Sequence, residues 1–490
     1  MNDRLLTVQL VNHSMIAVAC EPGIRQELSD YFCFMVPGAK FMPAVKRRQW
    51  DGKIRLFNAM SCQMNAGLYA KLCKFAADRH YHIKLARSDY GLPNEKNKIS
   101  HQAIVKQLAS FNPPFEPRDY QYDAIVHSIE RKRAVLLSPT GSGKSFIIYN
   151  LMRYYLEEYE QNVLVVVPTT SLVEQMTKDF HDYGFDSEAL VHKIYSGKDK
   201  VTKKRVIVTT WQSVYKLDKE WFEQFGCVFG DECHLFKAKS LSTLMDKCTE
   251  ADYRIGTTGT LDGTAVNKLV LEGLFGPVKR VTYTRDLQDK GTLAKLHIDM
   301  IVLNYTKEQK ALVSEYNYQE EVDWLVTHEP RNIFIRNLAV TQQGNTLVLF
   351  QFVEKHGEPL FKMISELHGD KVYYVHGGTD TSDREAIRGI VEQQDGAIIV
   401  ASMGTFSTGI NIKNLHNIIF ASPSKSQIRV LQSIGRGLRK SDNNQDTKLI
   451  DIADNLQLGS KGNFTLRHSA SRMKIYDKEK FDYKIHEVVL

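Results

Sequence analysis

The sequence predicts an α/β protein in which two parallel-sheet lobes follow a small basic α+β domain. Three observations carry that expectation. Over two long stretches, short apolar runs alternate with helical patterns, the rhythm of strand–helix–strand units. A glycine-rich loop sits between one such run and a helical pattern, the context of a phosphate site. The positive charge is confined to one end. Residues 1–110 carry sixteen Lys and Arg against eight Asp and Glu, a net +8, while the rest of the 490-residue chain nets −1.

Residues 1–110 are expected to form the basic domain, and the charge asymmetry favours a polyanion as its partner. Within it, Lys46–Arg55 reads as two short strands around the Asp51-Gly52 turn. Strand alternation would put Lys53 and Arg55 on one face. Arg47, Arg48, Lys53 and Arg55 are candidate phosphate contacts, and Trp50 among them is a candidate for stacking on an exposed base. The same residues also read as a core tryptophan amid solvated charges. Tyr69–Tyr81 reads as an amphipathic helix facing the core. Asn112-Pro113-Pro114 marks the break after this domain.

The first lobe is expected over residues 111–290, with strands at Ala134–Ser138, Val163–Val167, Val206–Thr210, Cys227–Gly230 and Tyr253–Gly256. The first of these runs into Pro139-Thr140-Gly141-Ser142-Gly143-Lys144-Ser145, and a helical pattern follows. Glycines there let backbone N–H groups turn in around phosphate oxygens, and a helix N-terminus adds its positive dipole end. Lys144 can reach the β- and γ-phosphates, and the Ser145 hydroxyl can ligate Mg²⁺. The strict phosphate-loop pattern fails only at its first position, Ser138. The other half of such a site is an acidic pair at a neighbouring strand end, and Cys227–His234 supplies Asp231 and Glu232. Asp231 is expected to hold Mg²⁺ through water, and Glu232 to orient and polarise the attacking water.

The rhythm lapses over Thr284–Pro330, so residues 291–335 are expected to be a charged, mostly helical linker. It returns over residues 336–458, the second lobe, with strands at Thr346–Phe350, Lys371–Val375, Ala397–Ala401, Asn417–Ala421 and Lys448–Ile452. Residues 459–490 read as a charged tail. No apolar run approaches the ~20 residues that span a bilayer, and the first twenty residues lack a signal-peptide core. The cytoplasm is the expected compartment. Seven scattered cysteines form no C-x-x-C pair and read as reduced thiols rather than a zinc site or disulfide framework.

At these residues the chain resembles the superfamily-two helicases of the D-E-x-H kind, over roughly Phe115–Asp454. Arg118-Asp119-Tyr120-Gln121 resembles their adenine-recognition motif, which implies nucleotide contacts for Arg118, Tyr120 and Gln121. Val165–Gln175 and Val208–Ser213 resemble strand-gripping motifs, implying nucleic-acid contacts for Pro168, Thr169, Thr210 and Gln212. Gly256–Thr260 stands at the coupling motif and implies that Thr258 and Thr260, with His234, link hydrolysis to movement. The motif's usual central Ala is Gly259 here. In the second lobe, His376-Gly377-Gly378 and Ala401–Asn411 resemble motifs that touch nucleic acid through His376, Thr405 and Phe406 and nucleotide through Gly409. Gln432–Arg439 matches Q-x-x-G-R-x-x-R. That implies a nucleotide contact for Gln432 and arginine fingers in Arg436 and Arg439, reaching the γ-phosphate across a cleft. The two lobes are therefore expected to be RecA-like.

Phe41-Met42-Pro43, Trp50–Leu56 and Asp477–Tyr483 further resemble the UvsW-type helicases of tailed phages, relatives of RecG and the XPB-type motors. The resemblance implies an ATP- and Mg²⁺-dependent helicase or translocase on branched DNA in recombination, replication and repair. Forks, Holliday junctions, D-loops and R-loops are the expected substrates. A monomer is expected, in the host cytoplasm if phage-encoded, with recombination or single-strand-binding proteins as possible partners. The same motifs also suit an RNA helicase or a duplex translocase that separates no strands. A nucleotide-switched DNA clamp or annealing scaffold is the alternative from another class. The intact Lys144, Glu232 and Arg439 argue against it.

Overall fold

The computed structural model describes residues 4–36, 38–86, 100–195, 199–261, 265–405, 412, 414–422, 446–460 and 462–490. The chain divides into two compact units: Met1–Ser138 with Ser142–Thr282, and Pro139–Gly141 with Tyr283–Leu490.

The first unit begins with strands β1 (Leu5–Leu10), β2 (Met15–Ala19), β3 (Cys33–Met35), β4 (Lys53–Arg55), β5 (Phe57–Asn58), β6 (Gln63–Asn65) and β7 (His82–Leu85). Five of them form a mixed sheet in the order β5-β6-β2-β1-β7, and β3 pairs with β4 alone. Every second residue of β1 and β2 is apolar and buried, so one sheet face is committed to the core. Helix Tyr69–Asp78 covers that core with Tyr69, Leu72, Phe75 and Ala76, as its spacing predicted. The reading of Lys46–Arg55 as a hairpin is corrected. Pro43 opens a short helix, Pro43–Lys46, for which its fixed φ is suited. Arg48 then turns the chain with a positive φ of 56°. The partner of β4 is the distant β3, with Met35 opposite Lys53.

This domain is seated on the first lobe. The His13 N–H bonds the Thr249 carbonyl at 3.0 Å, and Arg133 donates to the His13 carbonyl. Arg254, 1% exposed, donates to the Ser14 hydroxyl and to the carbonyls of Ala251 and Met245 at 2.9 and 3.1 Å. A Cβ on Gly67 would lie 2.1 Å from the Glu272 carbonyl oxygen, so only glycine lets the two backbones meet there.

The lobe itself is a parallel sheet of β8 (Arg133–Leu137), β9 (Asn162–Val167), β10 (Val191–Ile194), β11 (Val206–Thr210), β12 (Phe225–Asp231), β13 (Tyr253–Thr258) and β14 (Val278–Arg280). Their order is β10-β11-β9-β12-β13-β8-β14. The central strands are buried throughout, as parallel strands covered on both faces must be.

The second unit holds another parallel sheet: β15 (Leu296–Asn304), β16 (Thr346–Phe350), β17 (Val372–Val375), β18 (Ile398–Ser402), β19 (Asn417–Phe420), β20 (Thr447–Asn455) and β21 (Tyr483–Val489). The order is β17-β18-β16-β19-β20-β15-β21. Two expectations are corrected here. Residues 291–335 are not only a helical linker, because β15 pairs with β20 along nine residues. Residues 459–490 are not a loose tail, because they form helix Phe464–Glu479 and the edge strand β21. Glu321, buried in helix Tyr318–Thr327, accepts the backbone N–H groups of Phe464 and Thr465 at 2.9 and 2.7 Å and so caps the last helix. Two buried ion pairs then anchor both segments to β20: Arg331 with Asp454 at 2.8 Å and Arg472 with Asp451 at 2.7 Å. Breaking a pair of this kind commonly costs about 3–5 kcal/mol. No helix among the described residues is long and apolar enough to cross a membrane.

Candidate active site

Register places the candidate residues of the first lobe along one edge of its sheet. Thr210 lies opposite Val167, Gly230 opposite Val166, Asp231 opposite Thr257, and Thr258 opposite Leu137. The carboxyl ends of β11, β9, β12, β13 and β8 thus line up. In parallel sheets that edge is where ligands bind.

At one end of it stands the phosphate loop. Gly141 and Gly143 have φ of 81° and 80°, a region that β-carbons disfavour, and helix Lys144–Glu158 starts directly after. Gly143 is constrained twice, since a Cβ there would meet Gln121 Nε2 at 2.3 Å. The Ser138 and Ser142 hydroxyls share a hydrogen bond at 2.6 Å. Gln121 Nε2 donates to the Ser142 carbonyl at 2.8 Å, and its Oε1 accepts the Arg118 N–H at 2.9 Å. The upstream motif therefore braces the phosphate loop through the amide for which adenine recognition was expected. Arg118 in turn donates to the Tyr120 hydroxyl at 3.0 Å. The Ser145 hydroxyl meets that of Tyr183 at 3.0 Å, a neighbour the motif did not announce.

Asp231 ends β12 and Glu232 follows it. Glu232 has φ 47° and ψ 48°, the left-handed region that glutamate rarely enters. Such backbones persist where the surroundings over-determine them. Here the carboxylate is held from two sides. Lys144 Nζ is 3.4 Å from Oε1 and His234 Nδ1 is 3.3 Å from Oε2. Burial would push the Glu232 carboxyl up, but Lys144 and His234 outweigh it and hold it at about 2. Asp231 moves the other way. Burial and then the adjacent Glu232 charge raise its carboxyl above the usual range, although Thr257 donates to its Oδ1 at 2.7 Å. Thr257 is a contact that the motif reading did not single out.

The coupling residues meet at one hydroxyl. Thr258 Oγ1 lies 2.9 Å from His234 Nδ1, 3.4 Å from Glu232 Oε2 and 2.9 Å from the Thr260 carbonyl. The Thr260 N–H returns a bond to it at 3.3 Å. Gly259 in place of Ala leaves this web complete.

The expected nucleic-acid contacts divide. Thr169 caps helix Thr170–Asp182, and the Thr210 hydroxyl bonds that of Ser213 at 2.9 Å, with Gln212 exposed beside it. Pro168 is half-buried at the same edge. His376 is half-buried and accepts the Gly378 N–H at 3.2 Å. Thr405 is buried and its hydroxyl accepts from Ser402 at 2.7 Å, which holds the turn after β18 rather than presenting a surface. Arg47, Arg48 and Lys53 are exposed, while Arg55 is ion-paired with Asp51. Trp50 is half-buried, and its Nε1 donates to the Lys53 carbonyl at 3.0 Å. Phe406, Gly409, Gln432, Arg436 and Arg439 lie outside the described residues.

Comparison with known proteins finds a likeness along the whole chain. A family described as DNA helicase UvsW, N-terminal, matches residues 6–86. The res subunit family of type III restriction enzymes matches residues 114–263, and the helicase conserved C-terminal domain matches residues 330–441. The ATP-dependent DNA helicase uvsW of Enterobacteria phage T4 is 36% identical, covering 99% of this chain and 100% of that protein. The DNA 3'-5' translocase XPB2 of Sulfurisphaera tokodaii is 24% identical over 86% of this chain and 95% of its own. The crystal structure of T4 UvsW aligns with a TM-score of 0.52 at 34% identity, covering 99% of each chain. The likeness runs from the basic domain through both RecA-like lobes, so the phosphate loop and the acidic pair sit within a shared architecture, and the chain belongs to the UvsW family of ATP-dependent DNA helicases.

Proposed function

We propose that this helicase remodels branched DNA, with the first-lobe sheet edge as its hydrolytic centre and the basic domain as its duplex reader. One observation carries the hydrolytic part: a half-buried Glu232 bonded at once to Lys144 of the phosphate loop and, through Thr258 and His234, to the coupling motif. Lys144 would neutralise phosphate charge. Glu232 would orient the attacking water and take its proton as the water oxygen bonds the γ-phosphorus and the bond to ADP breaks. When Lys144 turns to phosphate, Glu232 keeps His234 and Thr258, so the nucleotide state is felt along β13.

The donor set fits Mg²⁺. Ser145 and Asp231 offer hard oxygen ligands, and Asp231, whose carboxyl burial and then the Glu232 charge push up, stands where a cation would relieve it. Among the described residues no cluster of three or more His, Cys, Asp and Glu could hold a metal. Bound at Ser145 and Asp231, Mg²⁺ would supply positive charge to the β- and γ-phosphate oxygens. Arg436 and Arg439 would stabilise the same charge as it develops in the transition state.

Branched DNA as substrate is supported by the basic N-terminal domain and by its kinship with UvsW. We take the working form to be a monomer in the cytoplasm. Steady-state ATP turnover with a fork, linear duplex, single-stranded DNA and RNA tests the reading. The fork should stimulate most. Strongest stimulation by RNA, or equal stimulation by linear duplex, would overturn it.

A further inference from the structure

Residues 33–36 and 38–55 stand apart from the five-stranded sheet as a small strap. The β3–β4 ribbon, a tight turn Ala39–Phe41 and helix Pro43–Lys46 close around Ala39, which is buried. Gly52, at φ 77°, makes the closure possible, since a Cβ there would sit 2.8 Å from Ala39 Cβ and 3.1 Å from Met35 Sδ. Backbone bonds lock it: Val36 N–H to the Gly52 carbonyl at 2.8 Å, Phe41 N–H to Gly38 at 3.0 Å and Met42 N–H to Ala39 at 2.9 Å.

This rigid turn holds an apolar tip out of the protein. Phe41 is 69% exposed, the most exposed aromatic side chain among the described residues, and Met35 and Met42 beside it in the strap are also exposed. Lys40 lies over its ring, 5.0 Å from the centroid. The same strap carries the exposed Lys46, Arg47, Arg48 and Lys53. Trp50, the aromatic that the sequence singled out, is instead tied down by its bond to the Lys53 carbonyl. An apolar tip on a stiff support within a cationic strap matches one surface well: the open face of a base pair, bordered by phosphates. Such a face is stacked away inside a continuous duplex and is uncovered where strands part.

We propose that Phe41, with Met42 beside it, is a wedge that stacks on the base pair exposed at a DNA branch point while Lys46, Arg47, Arg48 and Lys53 hold the flanking phosphates. The proposal rests on the reading of this domain as a duplex reader and adds what it senses. Stacking of a base on an aromatic side chain is a sequence-tolerant contact, and apolar wedges between base steps are a known means of unstacking them.

The test uses the full chain with forks carrying 2-aminopurine in the junction pair. Phe41→Ala should weaken fork affinity about 5- to 150-fold, the range expected for loss of one stacked base. It should abolish the 2-aminopurine fluorescence change, weaken single-strand binding less and leave the log–log salt slope unchanged. Phe41→Trp should restore both fork affinity and fluorescence change. The exposure of Phe41 predicts an unchanged melting temperature for either variant. A parallel Arg47→Ala/Arg48→Ala/Lys53→Ala variant should instead flatten the salt slope. Unchanged fork affinity and fluorescence in Phe41→Ala alone would overturn the wedge and leave the reader standing. No effect of either variant would remove the reader as well. A dimer of the wild type in sedimentation velocity that Phe41→Ala abolishes would assign the tip to a second copy of the chain and overturn the proposal.

Discussion

Glu232→Gln separates chemistry from architecture at the hydrolytic centre. The substitution keeps size and hydrogen-bonding reach but removes the charge that Lys144 and His234 stabilise. Loss of a positioned general base commonly costs 10²- to 10⁴-fold in rate, about 3–5 kcal/mol of barrier. The structural loss is smaller. The Lys144 and Glu232 side chains are only 15% and 22% exposed, so losing their charge-assisted bond would cost about 1–3 kcal/mol. Relief of Asp231, whose carboxyl the Glu232 charge pushes up, offsets part of that. The ligand-free melting temperature should therefore move by no more than a few degrees while turnover falls at least a hundredfold. ATP binding should survive, and the protein should stay trapped on DNA in its presence. In the ligand-free protein Lys144 and His234 hold the Glu232 carboxyl at about 2, so there it is the ionised form that the amide replaces. Fork-stimulated turnover, equilibrium binding of a fluorescent ATP analogue and thermal melting measure these quantities. Turnover within threefold of wild type, or ATP binding lost in step with turnover, would refute the assignment.

Asp231→Asn should abolish hydrolysis yet raise the ligand-free melting temperature. With a folded pKa above its unfolded value, Asp231 makes stability fall as pH rises through that folded pKa, and the amide removes this loss; a lower melting temperature at pH 7 would contradict it. Lys144→Ala should lose ATP binding and turnover together in the same assays. Arg439→Ala should lose about 10³-fold in stimulated turnover with a smaller loss of ATP affinity, as for a finger that acts in the transition state; equal losses would point to a ground-state role. Neutralising Arg47, Arg48 and Lys53 should lower the log–log salt slope of fork binding by about 2–3, at ~0.9 per phosphate, with Arg55 left out because Asp51 already pairs it.

The central strands of both lobes were legible because they are buried on both faces and so read as unbroken apolar runs, as in Val163–Val167. Among the edge strands β17 was legible too, but β10, β14 and β21 were not. β10 is Val-His-Lys-Ile and β14 is Val-Lys-Arg, short and charged in the manner of protected edges. β15 places His297 and Asp299 between apolar residues in its first half, and helix Phe464–Glu479 buries Arg472, which blurs the apolar stripe that marks a packed helix. In the candidate site, Lys144, Asp231 and Glu232 were legible because phosphate chemistry demands those types at a strand–loop–helix junction. Thr257 and Tyr183 were not, since their partners Asp231 and Ser145 lie 26 and 38 residues away and no local pattern ties them. Gln121 was legible as a motif residue, but not as a brace on the Ser142 carbonyl.

The seat of the N-terminal domain bears on how such helicases can be taken apart and recombined. Arg133 opens β8, and Arg254 stands near the start of β13, the two adjacent strands that run on to the phosphate loop and the coupling motif. Both guanidiniums look to His13 and Ser14 for partners. A cut near residue 110 would strip those partners and bare the backbone that Gly67 covers. The motor so produced would be a damaged protein, and its poor binding to forks would say little about what the missing domain reads. Chimeras meet the same barrier. A foreign N-terminal domain grafts cleanly only if its own loop supplies a carbonyl and a hydroxyl to the two arginines and a glycine to the helix Ala265–Phe275. Domain and lobe should therefore tolerate exchange only as one block, cut after Thr282 and not at the boundary marked by prolines.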